Sequence, residues 1–314
     1  MDRFSYRGVA VDIPGEIRLD RYAAEQVKIL SRSQIKSRIL EARVNGRSVK
    51  LSRLIRAGDL LELSWLTPPE ENLVPEDIPL DILYEDERTV VINKPAGMVV
   101  HPGAGNHSGT LANALLWRRL VLGKTERGPG PANRTGIVHR LDKDTSGVMI
   151  AAYDDGALAF LASQFKARKV EKRYAALVRG TPREKQGLIH RGILRDPGDR
   201  KRFTAAADPP GSGGRVKPAL TRYRLIRSWG DYSLLLLRPK TGRTHQIRVH
   251  LRFLGHPILG DPLYAPRDRG FPHASLMLHA SSLTLALPDG AGPCRFRAPL
   301  PDRFKTIITS LKRA

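Results

Sequence analysis

Residues 137–150 read IVHRLDKDTSGVMI and place two aspartates between an apolar run and a Thr-Ser-Gly turn. The apolar residues on either side predict two strands, and the polar residues between them predict a tight turn. Asp and Ser favour such turns because their side chains bond nearby backbone amides. Asp144 is therefore interpreted as a turn residue. Asp142, which directly follows Leu141, has two open interpretations, a turn residue or a catalytic carboxylate.

The composition bounds the class of protein. The 314 residues include 53 Lys and Arg against 31 Asp and Glu, a formal charge of +22 with a pI near 10.6. This excess predicts a polyanionic partner such as RNA, with a merely soluble basic enzyme as the alternative. An anionic membrane surface has no support, because no long basic amphipathic helix is evident. The apolar fraction of 41% argues against a disordered chain.

The expected cellular location follows from the absence of membrane-span, secretory-signal and disulfide patterns in this sequence. No apolar run approaches the length of about 20 residues that a membrane span requires. The first 20 residues, MDRFSYRGVAVDIPGEIRLD, contain no uninterrupted apolar segment of the kind found in secretory signals. The single cysteine, Cys294, excludes an intrachain disulfide framework. We therefore expect a cytoplasmic protein.

Charge divides the chain into three segments. Residues 1–66 hold 13 basic and 8 acidic residues, net +5, and residues 67–79, TPPEENLVPEDIP, carry net −4. Residues 80–314 carry the remaining net +21. The proline- and glutamate-rich middle segment is typical of a linker. The sequence thus predicts a small basic domain, a linker and a large basic domain.

The first segment predicts two helices and hairpin strands. IRLDRYAAEQVKIL has helical spacing, and Ser31 and Gln34 form a capping-box pattern that opens a second helix through SRSQIKSRILEARV. Ile35, Ile39 and Leu40 would form its apolar face. Asn45-Gly46 predicts a two-residue hairpin turn, and LIRAGDLLEL predicts a closing strand.

The order of these elements over roughly residues 17–66 resembles the S4-type RNA-binding domain. The matching residues are R-L-D, S-R-S-Q, V-N-G and A-G-D, in that order. The resemblance implies that Arg32 and Arg38, on the cationic side of the second helix, contact an RNA backbone. The alternative is that these arginines only form a solvated helix face.

The large domain contains many short strand-like runs: TVVINK, GVMIAA, KRYAALVRG, LTRYRLI and YSLLLLRP. Helical stretches are fewer, among them ALAFLASQFKAR and THQIRVHLRFL. This pattern predicts an α+β fold with a large, mainly antiparallel sheet. Stretches 123–136, 196–218 and 266–275 are rich in glycine or proline and are expected to be surface loops. Lys201 and Arg202, in the second loop, are candidate RNA-binding residues.

The segment GIVHRLDKDTSG resembles the active-site motif of the RluA-type pseudouridine synthases. NKPAGMVVHPG lies upstream of it, and KRYAALVRG, TGRTHQIRVHL and GHPILGDPLY follow in the family's order. With the amino-terminal domain, the layout is most like the RluD branch, which modifies large-subunit ribosomal RNA. The resemblance implies isomerisation of uridine to pseudouridine, a reaction that needs neither a redox cofactor nor a nucleotide energy source.

The resemblance also implies roles for individual residues. Asp142 would be the nucleophile, or would stabilise positive charge at C1′, and Arg248 would pair with it. Tyr174 would stack on the target base, and Arg140 would fill the space that the flipped base leaves. Plain structural roles are the alternatives for Tyr174, Arg140 and Arg248. The substrate-binding candidates of the large domain are Arg140, Ile247, Arg243, Lys201 and Arg202.

Other signals are weaker. His245 and His250 lie five residues apart, about 140° around a helix, a poor arrangement for chelating one metal ion. We expect no metal and no cofactor. Two other functions stay open: a non-catalytic RNA-binding assembly factor, and a related synthase that acts on transfer RNA. A monomer is expected.

Overall fold

The computed structural model describes residues 2–27, 29–30, 34–35, 38–67, 73–103, 105–124, 135–206, 216–290 and 292–313. The chain divides into two compact units, Met1–Asn72 and Leu73–Ala314. The division falls within the stretch predicted as a linker. Val74 and Glu76 of that stretch already belong to the second unit, where Asn113 Nδ2 donates to the Val74 carbonyl (2.8 Å) and the Gly109 amide donates to Glu76 (2.9 Å).

The first unit is a small sheet with a short helix. Its described elements are β1 (Asp2–Val9), β2 (Ile17–Arg18), α1 (Leu19–Glu25), β3 (Ile39–Val44), β4 (Arg47–Ser48), β5 (Leu54–Ile55) and β6 (Leu60–Thr67). Four strands form an antiparallel sheet in the order β1-β6-β3-β4, and β2 pairs with β5. Leu19 and Tyr22 of α1 pack with Ile35, Ile55 and Leu61 in its buried core.

The predicted hairpin turn in this unit is confirmed. Asn45 and Gly46 both have positive φ, 51° and 76°, as a two-residue turn between β3 and β4 requires. The Asn45 side chain also bonds Asp59 and the Leu60 amide, each at 2.8 Å. The turn is therefore fixed to the following strand.

The predicted second helix is wrong from Ile39 onward. Gln34, Ile35 and Arg38 are helical, but Ile39–Val44 is strand β3. Leu40 is exposed instead of joining an apolar helix face. Pairing with β6 satisfies the backbone of this segment, so tertiary contact overrides its helical spacing. Ser31 and Arg32 lie outside the described residues.

The second unit carries the long elements. They are β7 (Ile82–Glu85), β8 (Thr89–Lys94), α2 (Leu111–Val121), β9 (Ser146–Ala152), α3 (Asp155–Lys166), β10 (Glu171–Arg179), β11 (Gln186–His190), β12 (Gly192–Arg195), β13 (Phe203–Ala206), β14 (Leu220–Trp229), β15 (Tyr232–Pro239), α4 (Gln246–Phe253), β16 (Leu278–Ala286), β17 (Pro293–Arg297) and α5 (Asp302–Arg313).

One sheet organises this unit. Its strands follow the order β11-β14-β15-β10-β16-β9-β8-β7, with β17 also paired to β16. All of these pairs are antiparallel except β16 with β9. The α+β class with a large, mainly antiparallel sheet is confirmed. Strands β12 and β13 form a separate hairpin.

Helix α4 packs on one face of the sheet. Ile247 and Leu251 lie in the same buried cluster as Leu235 and Leu237 of β15. This packing holds α4 beside the turn that follows residue 141. Among the described residues, no helix is long and apolar enough to cross a membrane.

Candidate active site

The turn that carries Asp142 is held in place by buried neighbours. Leu141 is buried, and the Thr145 amide donates to the Asp142 carbonyl at 3.1 Å before β9 begins. His139 Nε2 accepts from the Ile150 amide at 3.1 Å and its ring stacks on Phe165. Burial lowers the pKa of His139 to about 3, so the ring is neutral and can accept this bond.

A buried lysine fixes the same turn from the other side. Lys94 is fully buried, and its ammonium donates to the carbonyls of Pro95 (2.8 Å), Met98 (2.8 Å) and Lys143 (3.0 Å). Burial lowers the pKa of Lys94 to about 7. Its three carbonyl contacts join the loop after β8 to the residue next to Asp142. Lys94 thus anchors the backbone next to Asp142 through carbonyl groups.

The Asp142 carboxylate is reached by an arginine of α4. Arg248 Nη1 donates to Asp142 Oδ2 at 3.2 Å, while Nε and Nη2 donate to the two oxygens of Asp261 at 2.8 Å each. Arg248 and Asp261 are both buried. Burial opposes the charge of Arg248, but Asp261 and then Asp142 raise its pKa. The bidentate pair locks the guanidinium so that one donor points at Asp142.

A histidine and a tyrosine complete the surroundings of the carboxylate. His245 precedes α4 in the left-handed region, with φ 54°, and its Nε2 lies 3.9 Å from Asp142 Oδ2. Its Nδ1 lies 2.9 Å from Tyr264 Oη, which accepts from the Phe203 amide at 2.8 Å. A phenol that donates to Nδ1 leaves the proton of the neutral ring on Nε2, the nitrogen that lies nearer Asp142. Burial, partly offset by Asp142, lowers the pKa of His245, so the ring is neutral near pH 7.

Tyr174 lies on β10 between Leu237 of β15 and Ala280 of β16. It contributes to the same cavity as Asp142. Burial and the nearby Asp142 charge raise its pKa, so the phenol keeps its proton near pH 7. A ring in this state is suited to stacking on a base and poorly suited to removing a proton.

The cavity has a volume of about 470 Å³ and is formed by three of the sequence motifs. Six of the candidate residues named from the sequence line it together: Asp142, Tyr174, Arg248, Arg140, Ile247 and Arg243. Arg243 also donates to the Pro218 carbonyl at 3.2 Å. Lys172 adds another cation to the wall. A cavity of this size with a carboxylate and several cations can hold one anionic nucleotide.

The remaining candidates lie elsewhere. Neither Lys201 nor Arg202 is among the described residues that line the cavity. Lys201 is exposed in the turn between β12 and β13, and the Arg202 guanidinium lies over the Tyr264 ring, 5.7 Å from its centroid. Arg38 is half-buried in the first unit, and Arg32 lies outside the described residues.

Sequence reasoning missed three residues of this site. Asp261 lies in the motif GHPILGDPLY, but only the fold shows that it holds Arg248. His245 was considered only as a metal ligand, and its left-handed backbone has no signal in the sequence. Thr145 is buried in the cavity wall, and its hydroxyl has no hydrogen-bond partner among the described residues. Within the part of the chain that the structure describes, no three His, Cys, Asp or Glu side chains are grouped to hold a metal.

The cavity combines a carboxylate with several cations, as an enzyme site for an anionic substrate would, and the comparison with known families identifies the enzyme. Residues 88–253, about half of the chain, match the model of the RNA pseudouridylate synthase family. The chain belongs to the RNA pseudouridylate synthase family. It is therefore an RNA pseudouridine synthase, an isomerase that acts on uridines of RNA.

Relatives and solved structures agree with this assignment. An uncharacterized RNA pseudouridine synthase of Chlorobaculum parvum is 43% identical, covering 94% of each chain. The ribosomal large subunit pseudouridine synthase D of Borreliella burgdorferi is 40% identical over 95% of this chain and 90% of that protein. The structure of human RNA pseudouridylate synthase domain containing 4 is similar with a TM-score of 0.60 and 28% identity, covering 74% of this chain and 93% of the other.

Proposed function

We propose that this enzyme isomerises specific uridines of large-subunit ribosomal RNA in the cytoplasm, with Asp142 as the nucleophile. The observation that supports the role of Asp142 is its carboxylate, which lies in a cation-lined cavity and is bound by Arg248. Asp261 in turn fixes Arg248. The relatives named as ribosomal large subunit pseudouridine synthase D support the choice of RNA.

The reaction needs a group that holds the ribose while uracil turns. As the C1′–N1 bond breaks, its electrons pass to N1, and a carboxylate oxygen bonds to C1′ or stabilises its positive charge. Uracil rotates, and C5 then bonds to C1′ as the carboxylate is released. The C5 proton leaves and N1 gains a proton, so no atom is lost overall. Asp142 is the carboxylate that the geometry offers for this role.

Neighbouring residues position Asp142 and the base in this proposal. Arg248, fixed by Asp261, orients the carboxylate with one charge-assisted hydrogen bond. Tyr174 stacks on uracil. Arg140, exposed at the cavity mouth, takes the place of the flipped base, since a guanidinium both stacks and donates hydrogen bonds. Ile247 and Arg243, which also line the cavity, contact the nucleotide.

Basic residues outside the cavity contact more of the RNA. We assign the first unit, with Arg38, as an S4-type RNA-binding module, on the strength of its resemblance and its net positive charge. Lys201 and Arg202 lie on the β12–β13 hairpin. The Arg202 guanidinium lies over the ring of Tyr264, which in turn contacts His245 of the cavity wall. These residues would contribute to the affinity for RNA, whereas the residues of the cavity would carry out the chemical step.

Pseudouridine mapping of ribosomal and transfer RNA tests the choice of substrate. Cells lacking this protein would be complemented by the wild type or by Asp142→Ala. We expect specific large-subunit sites to vanish and only the wild type to restore them. Loss of transfer-RNA sites would replace the proposed substrate, and no loss at any site would contradict the proposal as a whole.

A further inference from the structure

The sheet of the second unit has a face that points away from the catalytic cavity. Side chains alternate along a strand, and Lys172 and Tyr174 of β10 line the cavity. The pairing of β10 with β16 shifts register between Arg173 and Tyr174, and the contact of Arg173 with Glu171, two residues before it, keeps Arg173 on the reverse face. On β14, Thr221 bonds His250 of α4 and is buried, whereas Arg222 is exposed on the other side. Arg173 and Arg222 therefore both lie on the reverse face of the sheet.

Arginines occupy neighbouring positions across the reverse face. Arg222 of β14 is the cross-strand partner of Arg238 of β15. The Arg238 guanidinium lies 3.9 Å from the Glu171 carboxylate, which also accepts from Arg173 at 2.7 Å on β10. These contacts place the side chains of three adjacent strands in one row.

The row continues over the next two strands. Arg173 is paired with Ser282 of β16, and Ser282 is paired with Arg297 of β17. One step along, Thr284 is paired with both Glu171 and Arg295. We call this surface the arginine face, and its members are Arg173, Arg222, Arg224, Arg238, Arg295 and Arg297.

The positive charge of the arginine face is only partly neutralised by carboxylates of the same face. Glu171 is the one carboxylate that pairs with these arginines among the described residues. Like charges at neighbouring cross-strand positions destabilise a sheet. Burial and the nearby charges of Arg173 and Arg297 lower the pKa of Arg295, as expected for crowded cations. An anionic ligand would remove this repulsion.

The dimensions and chemistry of the face fit a nucleic-acid backbone. Five strands spaced by about 4.8 Å give the row a length of about 19 Å, enough for several consecutive phosphates. Guanidinium groups bind phosphate oxygens through two parallel hydrogen bonds. Thr284, which is paired with both Glu171 and Arg295, is polar and half-buried, whereas the centre of a protein interface is enriched in aromatic and apolar anchors.

We propose that the arginine face binds the phosphate backbone of a second segment of the RNA substrate, remote from the nucleotide in the catalytic cavity. This inference rests on the family's action on RNA, and it does not depend on which RNA is modified. The face would contribute to affinity for long RNA and leave the chemistry on a short stem-loop unchanged.

The test compares two variants of the full-length protein. Arg222→Gln/Arg224→Gln/Arg238→Gln neutralises three exposed arginines of the face. Lys312→Gln/Arg313→Gln is the control, because both are exposed on α5, whose Phe304 and Ile307 pack with Leu235 and Leu237 on the opposite face of the sheet. Binding of a long RNA duplex and of a minimal substrate stem-loop is measured over a range of salt concentrations. Turnover is measured on the stem-loop.

We expect the triple variant to bind the duplex about tenfold more weakly, with the slope of log affinity against log salt smaller by about 2 to 3. Its turnover on the stem-loop should stay within about twofold of the wild type, as should duplex binding by the control. Unchanged duplex affinity in the triple variant, or an equal loss in the control, would overturn the proposal. Turnover by the wild type on the stem-loop tests the family activity separately.

Discussion

At the scale of single residues, the decisive feature is an arginine shared by two carboxylates. Arg248 uses two donors on buried Asp261 and one on Asp142. The shared arginine makes Asp142 a positioned carboxylate with a fixed direction. It also means that Asp261 acts on the reaction only through Arg248 and is a positioning residue.

The first prediction concerns the geometry of Arg248. Arg248→Lys keeps the charge but removes the bidentate fork to Asp261, so the donor to Asp142 is no longer held in place. We expect kcat to fall about 100-fold with little change in KM, as for a small misplacement of a catalytic group. Steady-state kinetics on a stem-loop RNA measures this. A variant with unchanged kcat would show that the fork does not position Asp142.

The second prediction concerns the proton on His245. Tyr264→Phe removes the hydroxyl that contacts Nδ1, so the ring loses the partner that favours a proton on Nε2, the nitrogen 3.9 Å from Asp142. We expect kcat to fall about tenfold. His245→Gln, which keeps a donor at a similar reach, should retain more activity than His245→Ala. Equal activity of the two His245 variants would contradict the assigned tautomer.

At the scale of elements, the strands that carry the site were predicted well, since each has a short apolar run bounded by polar or turn residues. Strands β8, β9, β10, β14 and β15 and helices α3 and α4 all lie where the periodicity placed them. Strand β3 was mistaken for helix because its pairing with β6 has no local signal. The contacts of Asp261 and His245 could not be predicted from the sequence either, because they join residues that are distant along the chain.

The third prediction concerns a buried histidine that joins β16 to β9. His279 is fully buried, and its Nδ1 lies 2.8 Å from Ser146 Oγ, which accepts from Arg303 at 2.7 Å. His279 Nε2 lies 3.4 Å from the Ala298 carbonyl, which can only accept, so the neutral ring carries its proton on Nε2 and its Nδ1 accepts from Ser146. Burial lowers the pKa of His279 to about 4.

The sign of the resulting pH effect follows from linkage. Unfolded histidine has a pKa of about 6.5, so below that pH the unfolded chain binds a proton that folded His279 does not. Stability is fully present above about pH 6.5 and is lost as pH falls toward 4, by about 2 kcal/mol at pH 5. Denaturant unfolding should show a shallower pH dependence for His279→Gln than for the wild type. The exposed His273→Gln control should follow the wild type, and parallel curves for all three proteins would refute this effect.

At the scale of the whole molecule, the charge of +22 is distributed over both units and over more than one face of the second. The total was evident from the composition. Its arrangement was not, because the arginine face depends on strand order and register. The residues of the cavity position the reacting groups. The basic surfaces outside it would set the affinity for RNA and the place where the RNA binds.

The fourth prediction separates these two roles. Arg38→Gln in the first unit removes one cation of the proposed RNA-binding module without touching the cavity. We expect affinity for substrate RNA to fall about threefold and the salt slope to fall by about 0.9, the value for one phosphate contact. Single-turnover rate at saturating enzyme should be unchanged. A lower saturating rate would place Arg38 in the chemical step, against the proposal.

The central claim is that Asp142 carries out the chemistry, and one measurement tests it most directly. Single-turnover pseudouridine formation and RNA affinity are compared for the wild type and Asp142→Asn on the same stem-loop RNA. We predict a rate at least about 10⁴-fold lower for the variant, as for removal of a nucleophile, with RNA affinity within about twofold. A rate within about tenfold of the wild type would contradict the claim and make Asp142 a residue of the turn alone.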